Sequence, residues 1–445
     1  MKISWMPSAL RRTAAVLAVA VCAAGAGAQQ APATDLTPVK PETVGFSTQR
    51  LERLHTLMQE AVDHQEVAGV VTLLARHGKV VDYRAYGMRD IASKTPLTKD
   101  TIFRDYSMTK PVTAVAMMLL YEQGKWLPND PIAKYIPEFA HLKVYAGMGA
   151  DGKMILVDPV HPPTMRELMT HTAGFSYGFF GDTPVDKMVR DEHLLESKDL
   201  HEFITKLAGI PLLYQPGSRW VYSVSMDVQG YIVEQLSGKT LPEFMRENIY
   251  APLGMKDAGF YVPAEKRNRF ATLYWVNHDT GALSTQPAGN LTVSDYATQP
   301  TMPSGGGGMV STIEDYYRFA QMLGNGGTLG GTRLLAPATV KLMGSNHLAP
   351  ELLTGEFGIG YQVMRPGFGY GYNCAVVFDP PMANLPDGKG TFFWDGAAGT
   401  WFWIDPTNDI VFVGMIQRMN AGAKSENLQY LSRNVVYGAL VDPAK

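Results

Sequence analysis

The stretch that most constrains the fold is residues 107–123, which are apolar around most of a helical circumference and are followed by Gly124. A helix of this kind must be covered by other elements on every side, and glycine is a common residue just beyond a helix end. With 46% hydrophobic residues among 445, the chain can supply the core that such a helix requires. The pattern predicts a large globular domain with this helix running through its core.

Elements on either side of this helix are distributed unevenly along the chain. Residues 51–62 repeat apolar positions at helical spacing after Ser47, which suits a helix N-cap, and a hairpin with its turn at Gly78 follows. The middle of the chain has short helical patterns between loops that contain Pro and Gly. Strands are predicted at 70–75, 80–86, 360–364, 390–394, 400–404 and 410–416, and a last helix at 425–441.

This order predicts an α+β fold in which an antiparallel sheet is built from both chain ends, is flanked by helices, and has a helical subdomain inserted. We expect residues 47–445 to form a single domain. About 47–125 and 301–445 would make its α/β part, and about 126–300 its helical part. The regular strand–helix alternation of α/β-hydrolase and Rossmann folds is not present.

The first 28 residues have the pattern of an export signal. A short basic segment precedes an apolar run over residues 14–24, and Ala26-Gly27-Ala28 offers the small residues that a signal peptidase requires. About 11 apolar residues fall short of the roughly 20 that cross a bilayer, so we expect cleavage near Ala28 rather than a stable membrane span. The protein would then be periplasmic or secreted, by the Sec or the twin-arginine route, with residues 29–46 as an N-terminal extension.

Charge and cysteine content exclude several classes of function. The formal charge is −3, and loss of the signal removes three basic residues to give −6, with no basic run suited to nucleic acid. Cys374 is the only thiol beyond the signal, so no intrachain disulfide can form. His193 and His201 have no neighbours at metal-ligand spacing, so no metal is expected.

The apolar helix begins with Ser107-Met108-Thr109-Lys110. Positions three apart share a face of a helix, so the Lys110 amine can lie beside the Ser107 hydroxyl. Burial disfavours charged lysine, and a neutral amine can accept the proton whose loss makes serine a nucleophile. The pattern Ser-x-x-Lys is frequent by chance, so this interpretation needs support from the rest of the chain.

Two further segments contain residues suited to such a site. Tyr222 precedes the helical pattern of residues 226–236, and its phenol can relay a proton, although a packed core tyrosine is the alternative. Trp394-Asp395-Gly396-Ala397 ends a predicted strand. Small residues there allow a substrate to lie along the strand edge, and the Ala397 N–H can donate to an oxyanion.

Taken in order, these three segments resemble the serine β-lactamase and penicillin-binding-protein superfamily, in particular the class C-like esterases called family VIII carboxylesterases. The resemblance covers nearly the whole chain after residue 28. Residues 167–174 are similar to the family segment "LLTHTSG", residues 214–217 to a "PG" stretch before the tyrosine, and residues 306–312 to a glycine-rich "GLVST" helix entry.

The resemblance implies an acyl-enzyme on Ser107, with Lys110 and Tyr222 as base and proton relay and the N–H groups of Ser107 and Ala397 as oxyanion hole. It implies neither metal nor cofactor. The expected reaction is hydrolysis of a small-molecule carboxylic ester. An acyltransferase, a D-amino-acid amidase or peptidase, and a weak β-lactamase would use the same site, and a catalytically silent cell-wall or ligand-binding protein is the alternative of a different class.

Two departures favour an ester over a β-lactam. Penicillin-hydrolysing relatives carry Tyr-x-Asn and Lys-Thr-Gly, whereas this chain has Val224 in place of that Asn and Trp394 in place of that Lys. Without the cation, an anionic β-lactam loses a charge-assisted contact of about 1.5–3 kcal/mol. We expect Trp394, Gly396, Phe179 and Phe180 to contact the substrate, the phenylalanines as an apolar wall, although core packing explains either of them equally well.

Other features have simpler interpretations. Residues 174–178 match the Gly-x-Ser-x-Gly nucleophile elbow of α/β-hydrolases, but a helical pattern precedes them where that motif needs a strand. We therefore expect structural roles for Ser176 and His171. Arg418 is expected to be paired or solvated rather than to bind a substrate anion, and residues 304–308 to form a flexible turn before the next helix.

Overall fold

The helix that the sequence places at the centre of the fold spans Thr109–Glu122 and is preceded by a 3-10 turn, Tyr106–Met108. In the computed structural model of the chain, every residue from 109 to 118 is buried. Gly124 follows the helix with a φ of +70°, a left-handed conformation that favours glycine. The predicted central helix is therefore confirmed together with its C-terminal glycine.

Beyond Met1, the structure describes residues 35–277, 280–286, 295–353, 366–419 and 427–444. Residues 31–445 form one compact unit. The export signal predicted at 1–28 and the strand predicted at 360–364 lie outside the described residues. No helix within the described ranges is both long and apolar enough to cross a membrane.

The described strands, in chain order, are β1 (Gly69–Arg76), β2 (Lys79–Asp90), β3 (Thr95–Pro96), β4 (Ile102–Arg104), β5 (Val144–Met148), β6 (Met154–Val157), β7 (Tyr274–Val276), β8 (Leu283–Ser284), β9 (Val310–Thr312), β10 (Thr328–Leu329), β11 (Thr332–Arg333), β12 (Phe368–Tyr370), β13 (Ala375–Val377), β14 (Thr391–Asp395), β15 (Trp401–Asp405), β16 (Ile410–Met415) and β17 (Arg418–Met419).

The described α-helices are α1 (Thr48–Asp63), α2 (Thr109–Glu122), α3 (Met165–Met169), α4 (Pro184–Asp191), α5 (Leu200–Ala208), α6 (Ser225–Ser237), α7 (Leu241–Met245), α8 (Ala251–Leu253), α9 (Ile313–Gly324), α10 (Pro337–Met343), α11 (Pro380–Ala383) and α12 (Leu428–Ala439). As predicted, the Ser47 side chain caps α1, where it accepts a hydrogen bond from the Arg50 N–H at 3.3 Å.

The predicted α+β fold is confirmed. Within the described ranges, eight strands form one sheet in the order β12-β13-β14-β15-β16-β1-β2-β3. Neighbouring strands run antiparallel, and β1 from the N-terminal part pairs with β16 from the C-terminal part. The sheet is thus assembled from both ends of the chain, and most of the helices lie between them in sequence.

Arg76 at the end of β1 ties the two chain ends together. Its buried guanidinium donates hydrogen bonds of 2.9–3.1 Å to the carbonyls of Val44, Asn408, Asp442 and Pro443. Four carbonyl acceptors compensate for the cost of burying this side chain.

Both faces of the sheet are covered by helices. On one face, Arg433 of α12 lies over the rings of Phe393 and Trp403, while on the other Tyr316 of α9 packs against Phe402 with ring centroids 5.2 Å apart. Burial on both faces explains why these strands appear in the sequence as continuous apolar runs rather than as alternating patterns. α2 packs against α6 and α7 of the helical part.

Several short elements were not predicted. Among these are the strands β12 and β13 at one edge of the sheet, the hairpins β5–β6 and β7–β8 in the largely helical middle, and the pairing of β4 with β9. Most of these strands have two to four residues, too few for a strand period to be recognised, and β5 pairs with β6 through a register shift.

We expect Gly414→Ala in β16 to lower the free energy of unfolding by about 1–3 kcal/mol, because a Cβ there would meet the indole of the buried Trp401. The added atom would lie 2.2 Å from the ring. Gly438 in α12 is the matched control, since a Cβ there meets nothing within 4 Å. Alanine favours a helix interior by about 0.5–1 kcal/mol, so Gly438→Ala should stabilise the protein. Urea unfolding measures both, and an unchanged Gly414→Ala would contradict this packing.

Candidate active site

The structure brings the three predicted catalytic side chains together. Ser107 lies in the 3-10 turn before α2, and its Oγ is 3.1 Å from the Lys110 Nζ and 2.7 Å from the Tyr222 hydroxyl. Tyr222 is 115 residues away in sequence, so the fold alone brings it to this place. An amine and a phenol thus contact the same serine oxygen, which is the geometry that proton transfer to and from a nucleophile requires.

Lys110 is completely buried in the first turn of α2. Its Nζ donates a hydrogen bond of 2.6 Å to the Gly306 carbonyl and lies 4.5 Å from the centroid of the Tyr222 ring. Burial lowers the pKa of Lys110 to about 7, and the nearby carboxyl groups of Asp227 and Asp395 oppose this decrease. The amine can therefore be neutral near physiological pH.

Tyr222 lies in the loop before α6, where His171 fixes the backbone on both sides of it. The Val221 N–H donates to the His171 carbonyl at 2.8 Å, and the Ser223 N–H donates to His171 Nδ1 at 3.2 Å. Burial raises the pKa of Tyr222 above its usual range, so the phenol remains protonated. Burial, with the nearby Lys110 charge, lowers the pKa of His171 far below its usual range, so its ring is neutral. His171 thus has contacts of the structural kind that the sequence indicates.

The β14–β15 turn packs directly against the segment that carries Ser107. The Thr400 hydroxyl donates to the Asp105 carbonyl at 3.1 Å, and the Gly396 N–H donates to the Thr400 carbonyl at 2.8 Å. A Cβ at Gly396 would lie 2.2 Å from the Asp105 carbonyl oxygen, so only glycine permits this approach. Ala397 follows in the same turn and is exposed.

Aromatic side chains surround Tyr222. Trp394 is buried with its ring centroid 5.6 Å from that of Tyr222, and Phe180 lies 6.0 Å away on the exposed side. Phe179 stacks on Tyr177 at 5.3 Å. Phe179 and Phe180 are 53% and 60% exposed, so they are not core residues. They present an exposed apolar surface beside the Tyr222 ring, and contact of this surface with a substrate stays a prediction.

The segment 304–308 is part of the site rather than a simple turn before α9. Its Gly305 carbonyl accepts a hydrogen bond of 2.7 Å from the Thr113 hydroxyl of α2, and its Gly306 carbonyl accepts the bond from Lys110. A Cβ at Gly305 would lie 2.5 Å from the Met226 carbonyl oxygen of α6. This role was not predicted, although four consecutive glycines indicate that other groups approach the backbone closely.

Ser176 and Arg418 take no part in the site. Ser176 is buried in the loop between α3 and α4, where its hydroxyl donates to Asp186 Oδ1 at 2.5 Å and accepts from the Gly178 N–H at 2.9 Å. No strand precedes it in this loop, in contrast to a nucleophile elbow. Arg418 is buried in β17 and donates to the Glu66 carbonyl at 2.9 Å. The part of the chain that the structure describes has no group of three or more His, Cys, Asp or Glu side chains placed to hold a metal.

Comparison with known proteins gives the class of the molecule. The family model described as Beta-lactamase matches residues 54–435, and the chain belongs to this family. The predicted membership of the serine β-lactamase superfamily is thereby confirmed, and the protein is a serine hydrolase of that superfamily.

Three relatives refine this assignment. Protein Rv1367c of Mycobacterium tuberculosis is 35% identical over 368 residues, which cover 81% of this chain and 88% of the relative. Esterase EstB of Burkholderia gladioli is 32% identical over 368 residues, covering 79% and 86%. The solved structure of EstCE1, described as a hydrolase with promiscuous acyltransferase activity, has a TM-score of 0.74 at 30% identity and covers 88% of this chain and 99% of its own.

We expect His171→Ala to lower the free energy of unfolding by at least about 1–3 kcal/mol, because the buried Ser223 N–H loses its acceptor. His171→Asn is the matched variant. Asparagine tolerates the φ of +57° at this position, and its Oδ1 can accept the Ser223 N–H, so it should lose less stability. Urea unfolding compares the two, and equal losses would contradict the contact to Nδ1.

Proposed function

We propose that the protein hydrolyses carboxylic esters of small molecules through an acyl-enzyme on Ser107. The observation that carries this proposal is the contact of one serine oxygen with both a buried amine and a buried phenol, at 3.1 and 2.7 Å. The similarity to EstB, which is named an esterase, and to the hydrolase EstCE1 supports an ester as the substrate.

In the first half of the reaction, neutral Lys110 accepts the Ser107 proton while Oγ attacks the ester carbonyl carbon. The N–H groups of Ser107 and Ala397 stabilise the oxyanion that forms. When the carbon–oxygen bond to the alcohol breaks, the departing oxygen takes a proton that Tyr222 relays from Lys110. Alcohol leaves and the acyl group remains on Ser107.

In the second half, water attacks the acyl carbon and gives its proton to the same base. The bond from the acyl carbon to Oγ breaks, Oγ regains a proton, and the carboxylic acid leaves. A protonated Tyr222 suits the relay, because its buried phenol donates a hydrogen bond to Oγ without becoming a phenolate.

The charges around the site favour a neutral ester over an anionic β-lactam. The position where penicillin-hydrolysing relatives place a lysine holds the buried Trp394, whose ring packs on Tyr222. Asp227 and Asp395 lie close enough to influence Lys110, and their charges oppose an anion in the site. Phe179 and Phe180 offer an exposed apolar contact to an acyl or aryl group.

Hydrolysis of p-nitrophenyl acetate and butyrate tests the proposal. We expect Ser107→Ala to lower kcat at least about 10³-fold, because the covalent step is lost. Ser176→Ala is the matched control, since this serine lies in the competing motif, and it should retain turnover. Unchanged turnover in Ser107→Ala, or its loss in a folded Ser176→Ala, would contradict the assignment.

Two further outcomes separate the alternatives on this fold. Nitrocefin hydrolysis at a rate equal to that of the esters would favour a β-lactamase. A folded protein that neither turns over esters nor reacts with a fluorophosphonate would be catalytically silent.

We expect kcat/KM for ester hydrolysis to rise as the pH increases through about 7 and then to level off, because the neutral form of Lys110 is the base. The sign follows from the lysine, whose neutral fraction grows above its pKa. A series of rate measurements from pH 5 to about 9 at constant ionic strength checks this prediction. A rate independent of pH over this interval would contradict the role of Lys110.

Export after cleavage near Ala28 and the single catalytic domain at 47–445 stay predictions from the sequence. The sequence pattern of residues 1–28 is what supports the proposed export.

A further inference from the structure

Asp227 is a buried acid that has no step in the ester mechanism. It lies in the first turn of α6, five residues after Tyr222, and is completely buried. Its Oδ1 accepts hydrogen bonds from the Ser304 hydroxyl at 2.5 Å and the Gly306 N–H at 3.3 Å. Its Oδ2 has no hydrogen-bond partner among the described residues. A buried carboxylate with an unpaired oxygen is costly, which indicates that it serves a purpose other than stability.

One of the two residues that Asp227 binds, Gly306, also contacts the amine of Lys110. The Gly306 N–H binds Asp227, and the Gly306 carbonyl accepts the 2.6 Å hydrogen bond from Lys110 Nζ. A Cβ at Gly306 would lie 2.8 Å from the Tyr177 hydroxyl and 3.1 Å from Asp227 Oδ2. Glycine therefore lets the acid, the backbone of residue 306 and the amine approach one another.

We propose that Asp227 is a positioning residue, which holds the Gly306 carbonyl against Lys110 and whose negative charge sets the pH range in which Lys110 acts as a base. The inference rests on the proposed function, since it assigns Lys110 the role of base. It also accounts for the glycine at position 306, where a Cβ would meet Asp227 and Tyr177.

Several groups contact Lys110 or interact electrostatically with it. They are Ser107 in the 3-10 turn before α2, His171 and Tyr177 in the loop after α3, Tyr222 before α6, Asp227 on α6 and Asp395 on β14. The tyrosines and the histidine are neutral, because burial raises the pKa of Tyr177 and Tyr222 and lowers that of His171. Asp227 and Asp395 are thus the groups in this set whose negative charge can stabilise the lysine charge.

Asp227 differs from Asp395 in how it is held. Burial raises the pKa of Asp227, and the Ser304 hydrogen bond, the Lys110 charge and the Gly306 N–H each oppose this increase. Burial raises the pKa of Asp395 to about 6, opposed by Arg433 and by Lys110. Asp227 also binds Ser304 and Gly306, and the Gly306 carbonyl is the hydrogen-bond partner of Lys110.

Two variants of Asp227 separate its charge from its hydrogen bonds. Asp227→Asn removes the charge but keeps an oxygen that can accept from Ser304 and Gly306, whereas Asp227→Ala removes both. Asp315→Asn is the matched control, because Asp315 is also a buried acid near a helix start and accepts a hydrogen bond from a backbone N–H, that of Asp257. Circular dichroism establishes folding of each variant.

The experiment measures two rates against pH for each protein: hydrolysis of p-nitrophenyl butyrate, and covalent labelling of Ser107 by a fluorophosphonate. In labelling, Oγ forms a bond to phosphorus, fluoride leaves, and Lys110 takes the serine proton, so this rate reports on the base without an ester. If the wild type is labelled but does not hydrolyse esters, the proposed function fails while the role of Asp227 is still measured.

For Asp227→Asn we expect the midpoint of both pH profiles to move to lower pH, because the lysine charge loses a stabilising partner, with the alkaline plateau within about threefold of wild type. For Asp227→Ala we expect the plateau to fall at least about tenfold, because the Gly306 carbonyl is no longer held in place. Asp315→Asn should have the wild-type midpoint.

A midpoint that does not move in Asp227→Asn, or that moves equally in Asp315→Asn, would overturn the proposal. Equal plateaus in the Asn and Ala variants would overturn the positioning role. If neither Asp227 variant folds, Ser304→Ala decides, since it loosens the same segment and leaves the acid in place. Its plateau should fall about three- to tenfold, and an unchanged plateau would overturn the proposal.

Discussion

The burial of one amine is the constraint on which the site depends. α2 passes through the core and is apolar around most of its circumference, and Lys110 in its first turn is completely buried. Burying a charge in such a place costs several kcal/mol unless polar partners surround it. Lys110 has few such partners, namely one carbonyl, one serine hydroxyl and nearby carboxyl groups. The same helix therefore supplies both the core of the molecule and a lysine that gives up its proton easily.

The elements with a long, regular pattern could be predicted from the sequence. α1, α2 and the strands β1, β2, β15 and β16 have enough residues for their apolar period or length to be recognised. The three predicted catalytic residues rested on two kinds of signal: Ser107 and Lys110 share a helix face, whereas the role of Tyr222 is what the superfamily resemblance implies. Their mutual contact agrees with what the superfamily resemblance implies.

Contacts between distant parts of the chain could not be predicted from the sequence. Lys110 and the Gly306 carbonyl are 196 residues apart, and Asp227 and Ser304 are 77 apart, so no spacing rule could connect them. The short edge strands β12 and β13 were missed for a related reason, since three residues hold too little pattern. The sequence also could not decide whether Phe179 and Phe180 lie in the core or at the surface, because an aromatic residue in a loop is compatible with either place.

The hydrogen bonds of Arg76 and the pairing of β1 with β16 limit when the centre of the sheet can form during folding. β1 ends at residue 76, whereas β16, one of its two neighbours in the sheet, begins at residue 410. The centre of the sheet therefore cannot form until almost the whole polypeptide has left the ribosome. Contacts of such high order form slowly, and until then the apolar strands remain uncovered. The nascent chain is thus open to aggregation during most of its synthesis.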